Sequence, residues 1–207
     1  MSTNTLEAFN TLAATDVADA LPHEQIMNIG LHSIWTPCPK ITGPAHTARC
    51  VNGDNTQLHA CIHTAPAGSI VVVETDGNDY AVAGGNVCAI AQKNGIAGFI
   101  IDGVVRDLAE IRDAQFPVFA RGVYPKPGKK GPNGERQVTI NCGGVSVSPG
   151  DLIVADEEGI SVVPKDRIQA VLNDALAKKA QAEQKTLEQW SANHKQKITD
   201  ALGGSLD

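Results

Sequence analysis

The chain has 207 residues, of which 42% are hydrophobic, 19% charged and only 4% aromatic. This length and composition are typical of one globular domain with its own core. The formal net charge is −6, and no basic run is longer than Lys129-Lys130, which argues against a surface that follows a phosphate backbone. Few aromatic side chains are present to stack on bases. We therefore expect no nucleic-acid partner.

The cysteines and the apolar segments indicate the compartment. No stretch approaches the roughly 18 apolar residues of a membrane span, and no basic segment followed by an apolar run suggests a signal peptide. The odd, scattered set of cysteines contains no Cys-x-x-Cys pair, which favours reduced thiols. We expect a cytoplasmic protein with no membrane partner. The cysteines are Cys38, Cys50, Cys61, Cys88 and Cys142.

The N-terminal part of the chain predicts helix followed by strands and loops. Residues 5–21 are expected to be helical with a break near Ala14-Thr15, where Thr15 or Asp16 can cap a second turn. Residues 22–48 are rich in proline and glycine, which favours strands and loops. Residues 45–51 alternate weakly and predict a strand.

The middle of the chain alternates between helical and strand patterns, which indicates a mixed α/β core. Residues 69–74 form a continuous β-branched apolar run, typical of a strand that is buried on both faces. The helix that precedes it places Leu58, Cys61, Ile62 and Ala65 on one face. The predicted elements are helix 55–65, strand 69–74, helix 86–94, strand 96–101, helix 108–114 and strand 115–120.

The C-terminal part has a different pattern. Residues 124–136 are rich in proline, glycine and lysine and predict a mobile loop. Four short strands with tight turns follow and favour an antiparallel meander or a small barrel-like sheet. A long helix is predicted over about 165–194, and its polar second half suits contact with another subunit. We find no repeat and no long linker, so we expect residues 1–207 to form one domain. The predicted strands are 137–142, 145–147, 151–156 and 159–163.

Two motifs in the middle of the chain suggest a binding site. Gly84-Gly85-Asn86 forms a turn that opens a helix, and a helix N-terminus offers unpaired N–H groups to an anion. Arg106-Asp107 follows a buried strand, and ligands in open α/β sheets bind beyond the carboxyl ends of strands. The guanidinium suits a carboxylate, and the aspartate suits Mg²⁺. Together they suggest a site for a small carboxylate and a divalent cation.

Each motif also has a plainer interpretation. Arg106-Asp107 can be a surface ion pair, with Asp107 capping the next helix. The glycine turn lacks the G-x-G-x-x-G spacing and the Walker lysine, so it can be an ordinary turn. Cys88 lies at the turn without a paired histidine and suits helix packing.

Other candidate residues are weaker. His59 and His63 are four residues apart on a predicted helix and could chelate zinc, although no third ligand is evident. The remaining histidines show no arrangement with a nucleophile. Asp76, Asp79 and Asp102 are either acid/base candidates or turn residues.

Three segments together resemble a known family. They are GGNVCAIAQKNG (84–95), GFIIDGVVRD (98–107) and FPVFARG (116–122), with further similarity at 15–21, 143–145 and 149–164. They resemble the class II 4-hydroxy-4-methyl-2-oxoglutarate aldolases. That family also contains 4-carboxy-4-hydroxy-2-oxoadipate aldolases and the regulator of ribonuclease E activity A. The resemblance spans roughly residues 12–180.

The resemblance implies a fold and a chemistry. The fold is a mixed β-sheet sandwich of the swivelling phosphohistidine-domain (β/β/α) type with a long C-terminal helix, assembled as a homotrimer or a dimer of trimers with the site at a subunit interface. The residue matching Asp107 ligates Mg²⁺ or Mn²⁺, and the residue matching Arg106 contacts the keto oxygen. The turn, with Gly84, Gly85, Asn86, Val87 and Cys88, holds the substrate carboxylate through backbone amides. The implied reaction is retro-aldol release of pyruvate, with oxaloacetate decarboxylation at the same site.

The sequence departs from the family pattern at one position. Many of these aldolases carry an acidic residue where this chain has Gly85. The resemblance leaves Asp79, or a glutamate from a neighbouring subunit's long helix, to take that role. The non-catalytic regulators of ribonuclease E carry glutamine after the arginine, whereas this chain has Asp107, which favours the enzyme. A related sugar-acid or keto-acid lyase is a third possibility.

Overall fold

The computed structural model describes residues 3–51 and 53–205. Strands and helices alternate through its middle part. The helices are α1 Thr3–Asn10, α2 Ala14–Ala18, α3 Thr56–Thr64, α4 Gly85–Lys93, α5 Leu108–Asp113, α6 Ile168–Glu183 and α7 Leu187–Ala201, with a 3₁₀ turn at His23–Gln25. The strands are β1 His32–Ser33, β2 Ile41–Cys50, β3 Ile70–Thr75, β4 Gly98–Val105, β5 Val118–Val123, β6 Glu135–Arg136, β7 Ile140–Cys142, β8 Val145–Val147, β9 Leu152–Asp156 and β10 Gly159–Val163.

A large mixed sheet organises the molecule in the order β1-β5-β4-β3-β2-β9-β10, with β6 beside β2. Strands β2, β3, β4 and β5 run parallel, and the outer strands pair antiparallel. Parallel neighbours need crossover connections, which α3, α4 and α5 supply. The predicted α/β class is confirmed.

The burial of apolar side chains explains why the strands and helices in the middle of the chain could be predicted from the sequence. The apolar runs of β3 and β4 are fully buried, and Phe99 packs edge-on against Phe116 with ring centroids 4.9 Å apart. On α3 the predicted face buries Leu58, Cys61 and Ile62. All five cysteines are buried and free.

The N-terminal helices begin and end differently from the prediction. The break falls at residues 11–13 instead of Ala14-Thr15, and Ala13 is the N-cap of α2, so neither Thr15 nor Asp16 takes that position. Asp16 stands three residues after the cap, where its carboxylate accepts the Ala13 N–H at 2.9 Å. Asp16 therefore takes part in capping α2, but it does so from the N3 position, whereas the prediction made it a candidate for the N-cap residue itself.

The C-terminal strands do not form a separate meander. Strands β7 and β8 pair only with each other, whereas β9 and β10 extend the large sheet along β2. Strand β2 is ten residues long, so its first half can pair with β9 while its second half pairs with β3.

The long C-terminal helix is interrupted. Helix α6 ends at Glu183, and α7 starts after Thr186, whose hydroxyl accepts the Gln189 N–H at 3.2 Å while the Gln189 side chain accepts the Thr186 N–H at 3.0 Å. This reciprocal capping box is visible in the sequence as Thr-x-x-Gln. Helix α6 packs on the N-terminal helices, whereas α7 buries none of its residues. No helix in the described ranges has the length and apolar character needed to cross a membrane.

Candidate active site

The Arg106-Asp107 step lies against the start of α4. Strand β4 continues to Val105, so the step begins where the strand ends, and Asp107 is the N-cap of α5 with a left-handed backbone at φ 60°. Its side chain does not cap α5 but turns towards α4, where Oδ2 accepts the Gly85 N–H at 3.2 Å. The Arg106 Nε atom lies 3.5 Å from the same oxygen. Two motifs that are each weak in the sequence therefore meet in space.

The first turn of α4 has fewer free amides than the sequence suggested. The Gly85 N–H donates to Asp107, and the Cys88 N–H donates to the Gly84 carbonyl at 3.0 Å as part of the helix. Both amides are therefore engaged within the protein, whereas the amides of Asn86 and Val87 stand at helical positions without an intrahelical partner. Burial raises the pKa of the Cys88 thiol to about 12, consistent with packing rather than reactivity.

A side chain at either glycine of the turn would displace a carboxylate side chain of the 107–110 segment. A Cβ on Gly84 would lie 2.4 Å from Asp107 Oδ2, although its φ of −160° suits any residue. A Cβ on Gly85 would lie 1.8 Å from Oε2 of Glu110 and 2.7 Å from its Cβ. Glu110 stands one helical turn after Asp107, so α5 presents two carboxylates to the start of α4. Sequence reasoning missed Glu110, although its i, i+3 spacing from Asp107 was a usable signal.

Arg106, Asp107 and the α4 turn line a cavity of about 210 Å³. The α3 helix and the loop after β5 complete its walls. This volume suits a ligand smaller than a typical drug molecule. The lining residues are Asn55, His59, Ala81, Val82, Ala83, Gly84, Asn86, Val87, Arg106, Asp107, Pro127, Gly128 and Lys130.

His59 lies in this cavity and not at a zinc site. Its Nε2 atom is 3.2 Å from the Val82 carbonyl, and because a carbonyl only accepts, Nε2 carries the proton. Burial, followed by the charges of Lys130 and His63, lowers the pKa of His59 below 6.5, which favours the neutral ring. His63 is exposed. Within residues 3–51 and 53–205, no three His, Cys, Asp or Glu residues are grouped to hold a metal.

The loop predicted to be mobile is anchored over the start of α3. The Asn55 N–H donates to Lys129 O at 3.0 Å, the Gly131 N–H donates to Thr56 Oγ1 at 3.0 Å, and the Asn133 N–H donates to Asp54 Oδ2 at 2.9 Å. These bonds bring Lys130 into the cavity wall. Loop composition alone cannot show such anchors, because the partners are about 75 residues earlier in the chain.

The other aspartates are placed apart from Arg106. Asp76 and Asp79 line a neighbouring cavity of about 380 Å³ together with Tyr80. Asp102 forms an ion pair with Arg121 and accepts the Gly143 N–H at 2.7 Å, so it joins β4, β5 and the β7–β8 turn. These contacts indicate that Asp102 has a structural role.

The arrangement at Asp107 fits a hydrated divalent cation. The carboxylate is about one-third exposed, at 35%, so water can reach it. Mg²⁺ commonly binds proteins through one or two carboxylates while keeping several waters and adding substrate oxygens. Asp107 could therefore hold such an ion, and the described residues offer no cluster of three or more His, Cys, Asp or Glu ligands around it.

The fold and the cavity define the class of protein: it is an α/β protein in which an arginine, a partly exposed aspartate and the start of a helix line one small pocket. The chain belongs to the RraA-like family (aldolase/RraA), whose sequence profile matches residues 14–162. A relative from Halalkalibacterium halodurans, named "Putative 4-hydroxy-4-methyl-2-oxoglutarate aldolase", is 37% identical over 179 residues, covering 84% of this chain and 83% of the relative.

Two solved structures are also similar. An uncharacterized protein from Pseudomonas syringae pv. tomato superposes with a TM-score of 0.78 at 27% identity, over 93% of this chain and 95% of that one. The RNA-processing inhibitor RraA from a Thermus species superposes with a TM-score of 0.67 at 29% identity, over 73% of this chain and 92% of that one. The family resemblance found in the sequence is thus confirmed.

Proposed function

We propose that this protein is a divalent-metal-dependent lyase that cleaves 4-hydroxy-2-oxo diacids to pyruvate by a retro-aldol reaction. The substrates in view are 4-hydroxy-4-methyl-2-oxoglutarate and 4-carboxy-4-hydroxy-2-oxoadipate. The observation that carries the proposal is the meeting of Arg106, Asp107 and the α4 amides in one cavity. The names of the relatives support an aldolase.

Different residues of the cavity bind the substrate carboxylate and stabilise the charge that develops during cleavage. The free N–H groups of Asn86 and Val87 bind the carboxylate next to the keto group, where the helix dipole also favours an anion. The Arg106 guanidinium faces the keto oxygen, where negative charge grows as the carbon–carbon bond breaks. Mg²⁺ or Mn²⁺ held by Asp107 supplies Lewis-acid stabilisation of the same charge. Loss of CO₂ from oxaloacetate develops the same enolate, so we also propose oxaloacetate decarboxylation.

Glu110 is our candidate for proton transfer. Cleavage requires a base for the 4-hydroxyl proton and an acid for the enolate carbon. Glu110 occupies the space that a side chain at Gly85 would fill, whereas Asp79 lines the neighbouring cavity. We therefore prefer Glu110 to Asp79 for the role that an acidic residue at the Gly85 position takes in many of the related aldolases.

Pyruvate release tests the proposal directly. Lactate dehydrogenase and NADH report pyruvate formed from each diacid and from oxaloacetate, with Mg²⁺ or Mn²⁺ and with a chelator. We expect metal-dependent release that the chelator abolishes and added metal restores. Asp107→Asn should lose at least about 100-fold in kcat/KM, as expected when a supporting group for transition-state charge is removed. Absence of metal-dependent pyruvate release from all substrates would refute the lyase.

The similarity to the RNA-processing inhibitor RraA from a Thermus species supports a second candidate. The family resemblance implies that this candidate is a non-catalytic regulator that binds ribonuclease E. Asp107 argues for the enzyme because the family resemblance places glutamine there in regulators. Pull-down with purified ribonuclease E, together with an RNA-cleavage assay, tests the regulator. Binding and inhibition without pyruvate release would favour it. A related keto-acid lyase remains the third candidate, and a wider substrate panel tests it.

The assembly and location are also proposals. We infer a cytoplasmic homotrimer or dimer of trimers, with no nucleic-acid or membrane partner. The net charge of −6 supports the absence of nucleic acid, and the uncovered α7 supports subunit contact.

A further inference from the structure

His59 lines the cavity from α3, and histidine is the side chain whose charge ordinarily changes near neutral pH. The other charged side chains of the lining, Arg106, Asp107 and Lys130, are of types that ordinarily titrate well away from that range. Among the described lining residues, His59 is thus the group whose charge can follow the binding of a ligand.

The hydrogen bond of the His59 ring determines which nitrogen can take up a proton. Nε2 donates to the Val82 carbonyl oxygen, 3.2 Å away, so in the neutral ring Nδ1 keeps its lone pair. Both nitrogens are donors in the imidazolium form, and protonation at Nδ1 therefore preserves the bond to Val82. The ring can become a cation without losing the contact that holds it.

The protein surroundings of His59 favour the neutral ring. Burial has the largest effect on its pKa and lowers it below the ordinary value of 6.5. The charges of Lys130, on the anchored loop, and of His63, one turn further along α3, lower the pKa as well, while the bond to Val82 raises it. A cationic ring is therefore disfavoured until a negative charge comes close to it.

The carboxylates nearest to this part of α3 have other partners. Asp54, just before α3, accepts the Thr56 and Asn133 N–H groups, each at 2.9 Å. Asp107 lies 3.5 Å from the Arg106 Nε atom. The charges that act on the imidazole ring come from the two cationic residues named above and not from these carboxylates.

The strands packed against α3 hold their carboxylates in a separate network. Arg49 on β2 pairs with Glu74 of β3 at 2.9 Å and with Glu135 of β6 at 2.6 Å. On the described parts of these strands and of α4, no carboxylate is thus left for the ring, and a bound anion can supply that partner. The other titratable side chains of these elements are His46, Cys50, Cys88, Lys93 and Arg136.

We propose that His59 is a further anion-binding residue of the cavity, neutral in the free protein and protonated at Nδ1 when a carboxylate ligand binds. The inference rests on the proposed function for the identity of that ligand, a 2-oxo acid held at the start of α4. The imidazolium adds a positive charge to the cavity, and its proton comes from the solvent. Proton uptake and anion binding are reciprocal, so the factor by which the ligand favours the imidazolium is the factor by which protonation strengthens binding.

Calorimetry counts the protons directly. The full-length protein is titrated with pyruvate in Mg²⁺ at several pH values, and two buffers of different ionisation enthalpy give the number of protons taken up. A nearby opposite charge raises a pKa by about 1 or more, so we expect about half a proton per pyruvate at the maximum. The affinity should rise by about fivefold or more as the pH falls from about 8 to about 5.5, because the gain is complete below the pKa of the free protein and is lost above the pKa of the complex.

Two variants assign the proton. His59→Gln removes the titratable ring but keeps an N–H group that can donate to the Val82 carbonyl, so it should take up no proton and bind pyruvate with the high-pH affinity at every pH. His63→Gln is the matched control, because it removes an exposed histidine of the same helix outside the cavity lining. It should keep the proton uptake. Proton NMR of the wild-type protein, assigned through the backbone, gives the answer without a variant: the pKa of His59 should rise when pyruvate is added.

Pyruvate binding without proton uptake, uptake that persists in His59→Gln or disappears in His63→Gln, or a wild-type protein that binds no pyruvate would each overturn the inference. His59-dependent uptake in a protein that releases no pyruvate from any of the proposed substrates would reject the lyase and retain the inference. Metal-dependent pyruvate release without His59-dependent uptake would do the reverse.

Discussion

Asp107 combines two conformational features that a sequence motif does not convey. Its left-handed φ of 60° is a conformation that aspartate tolerates better than most residues. This backbone starts α5 while the side chain reaches the Gly85 N–H on another helix. The same bond orients one carboxylate oxygen and leaves the group accessible to a cation.

Gly84→Ala tests whether this orientation matters. The new Cβ would lie 2.4 Å from Asp107 Oδ2, so the carboxylate must move, while the extended backbone accepts alanine. We expect kcat/KM for pyruvate release to fall by about 100-fold, as an ångström-scale misplacement can cause. Gly122→Ala is the control, because its Cβ meets no atom within 4 Å. Full activity of Gly84→Ala would show that the Asp107 position is not critical.

Glu110→Gln tests the proton-transfer role at the same scale. The amide keeps the shape of the side chain near Gly85 but cannot exchange a proton. We expect kcat to fall by about 100-fold or more, while the affinity for pyruvate and Mg²⁺ stays near wild type. Stopped-flow or steady-state kinetics measure kcat, and calorimetry measures the affinities for pyruvate and Mg²⁺. Asp113→Asn, on the same helix, should leave both unchanged, and an unchanged kcat in Glu110→Gln would exclude the role.

At the scale of elements, the anchored loop connects stability to the site. Asp54 links the start of α3 to Asn133, and the same anchor holds Lys130 at the cavity. Hydrogen bonds to its ionised form outweigh the effect of burial and keep the pKa of Asp54 near 2. Because this folded-state pKa is below the ordinary value of 3.8, the anchor stabilises the fold above about pH 4.

This linkage predicts a pH-dependent mutant effect. The stabilisation should be lost as the pH falls from about 4 to 2, because protonation then removes the ionised acceptor. Asp54→Asn should lower the free energy of unfolding by about 1–2 kcal/mol at pH 7 and by much less at pH 2. Urea denaturation at several pH values measures the difference, with Asp113→Asn as an exposed control. A difference that stays constant with pH would contradict the anchor.

At the scale of the molecule, the long helix α7 buries none of its residues. It presents exposed apolar side chains, with Leu187 75% exposed and Trp190 52% exposed, and Trp190 stacks on His194 at 4.5 Å. Residues 187, 190, 194 and 198 follow i, i+3, i+7 and i+11 spacing and therefore lie on one face. Such a stripe suits the subunit contact proposed above.

The stripe predicts how the assembly responds to substitution. The double variant Leu187→Ser, Trp190→Ser should shift the mass in light scattering from trimer or hexamer towards smaller species, because the contact loses its apolar area. Lys195→Ser, a polar exposed residue of the same helix, should leave the mass unchanged. An unchanged mass in the double variant would exclude α7 from the interface.

The sequence by itself determined the α/β class, the core strands and the family, because hydrophobic periodicity and contiguous motifs are local properties. Contiguous motifs likewise made Arg106, Asp107 and the glycine turn the candidate site residues, and their functional roles stay predictions. The pairing of β2 with both β3 and β9 was decided only by tertiary structure, since a ten-residue strand does not show its neighbours in its own pattern.

The completed cavity also required the tertiary structure. His59, Lys130 and Glu110 are separated along the chain, and hydrogen bonds across elements bring the first two together with Arg106. The composition of residues 124–136 predicted a mobile loop, whereas hydrogen bonds to the start of α3 anchor this segment. The local sequence thus determined which chemical groups are available, and the packing of α3, α4 and α5 on one sheet decided which of them share a site, because proximity depends on crossover geometry rather than on sequence distance.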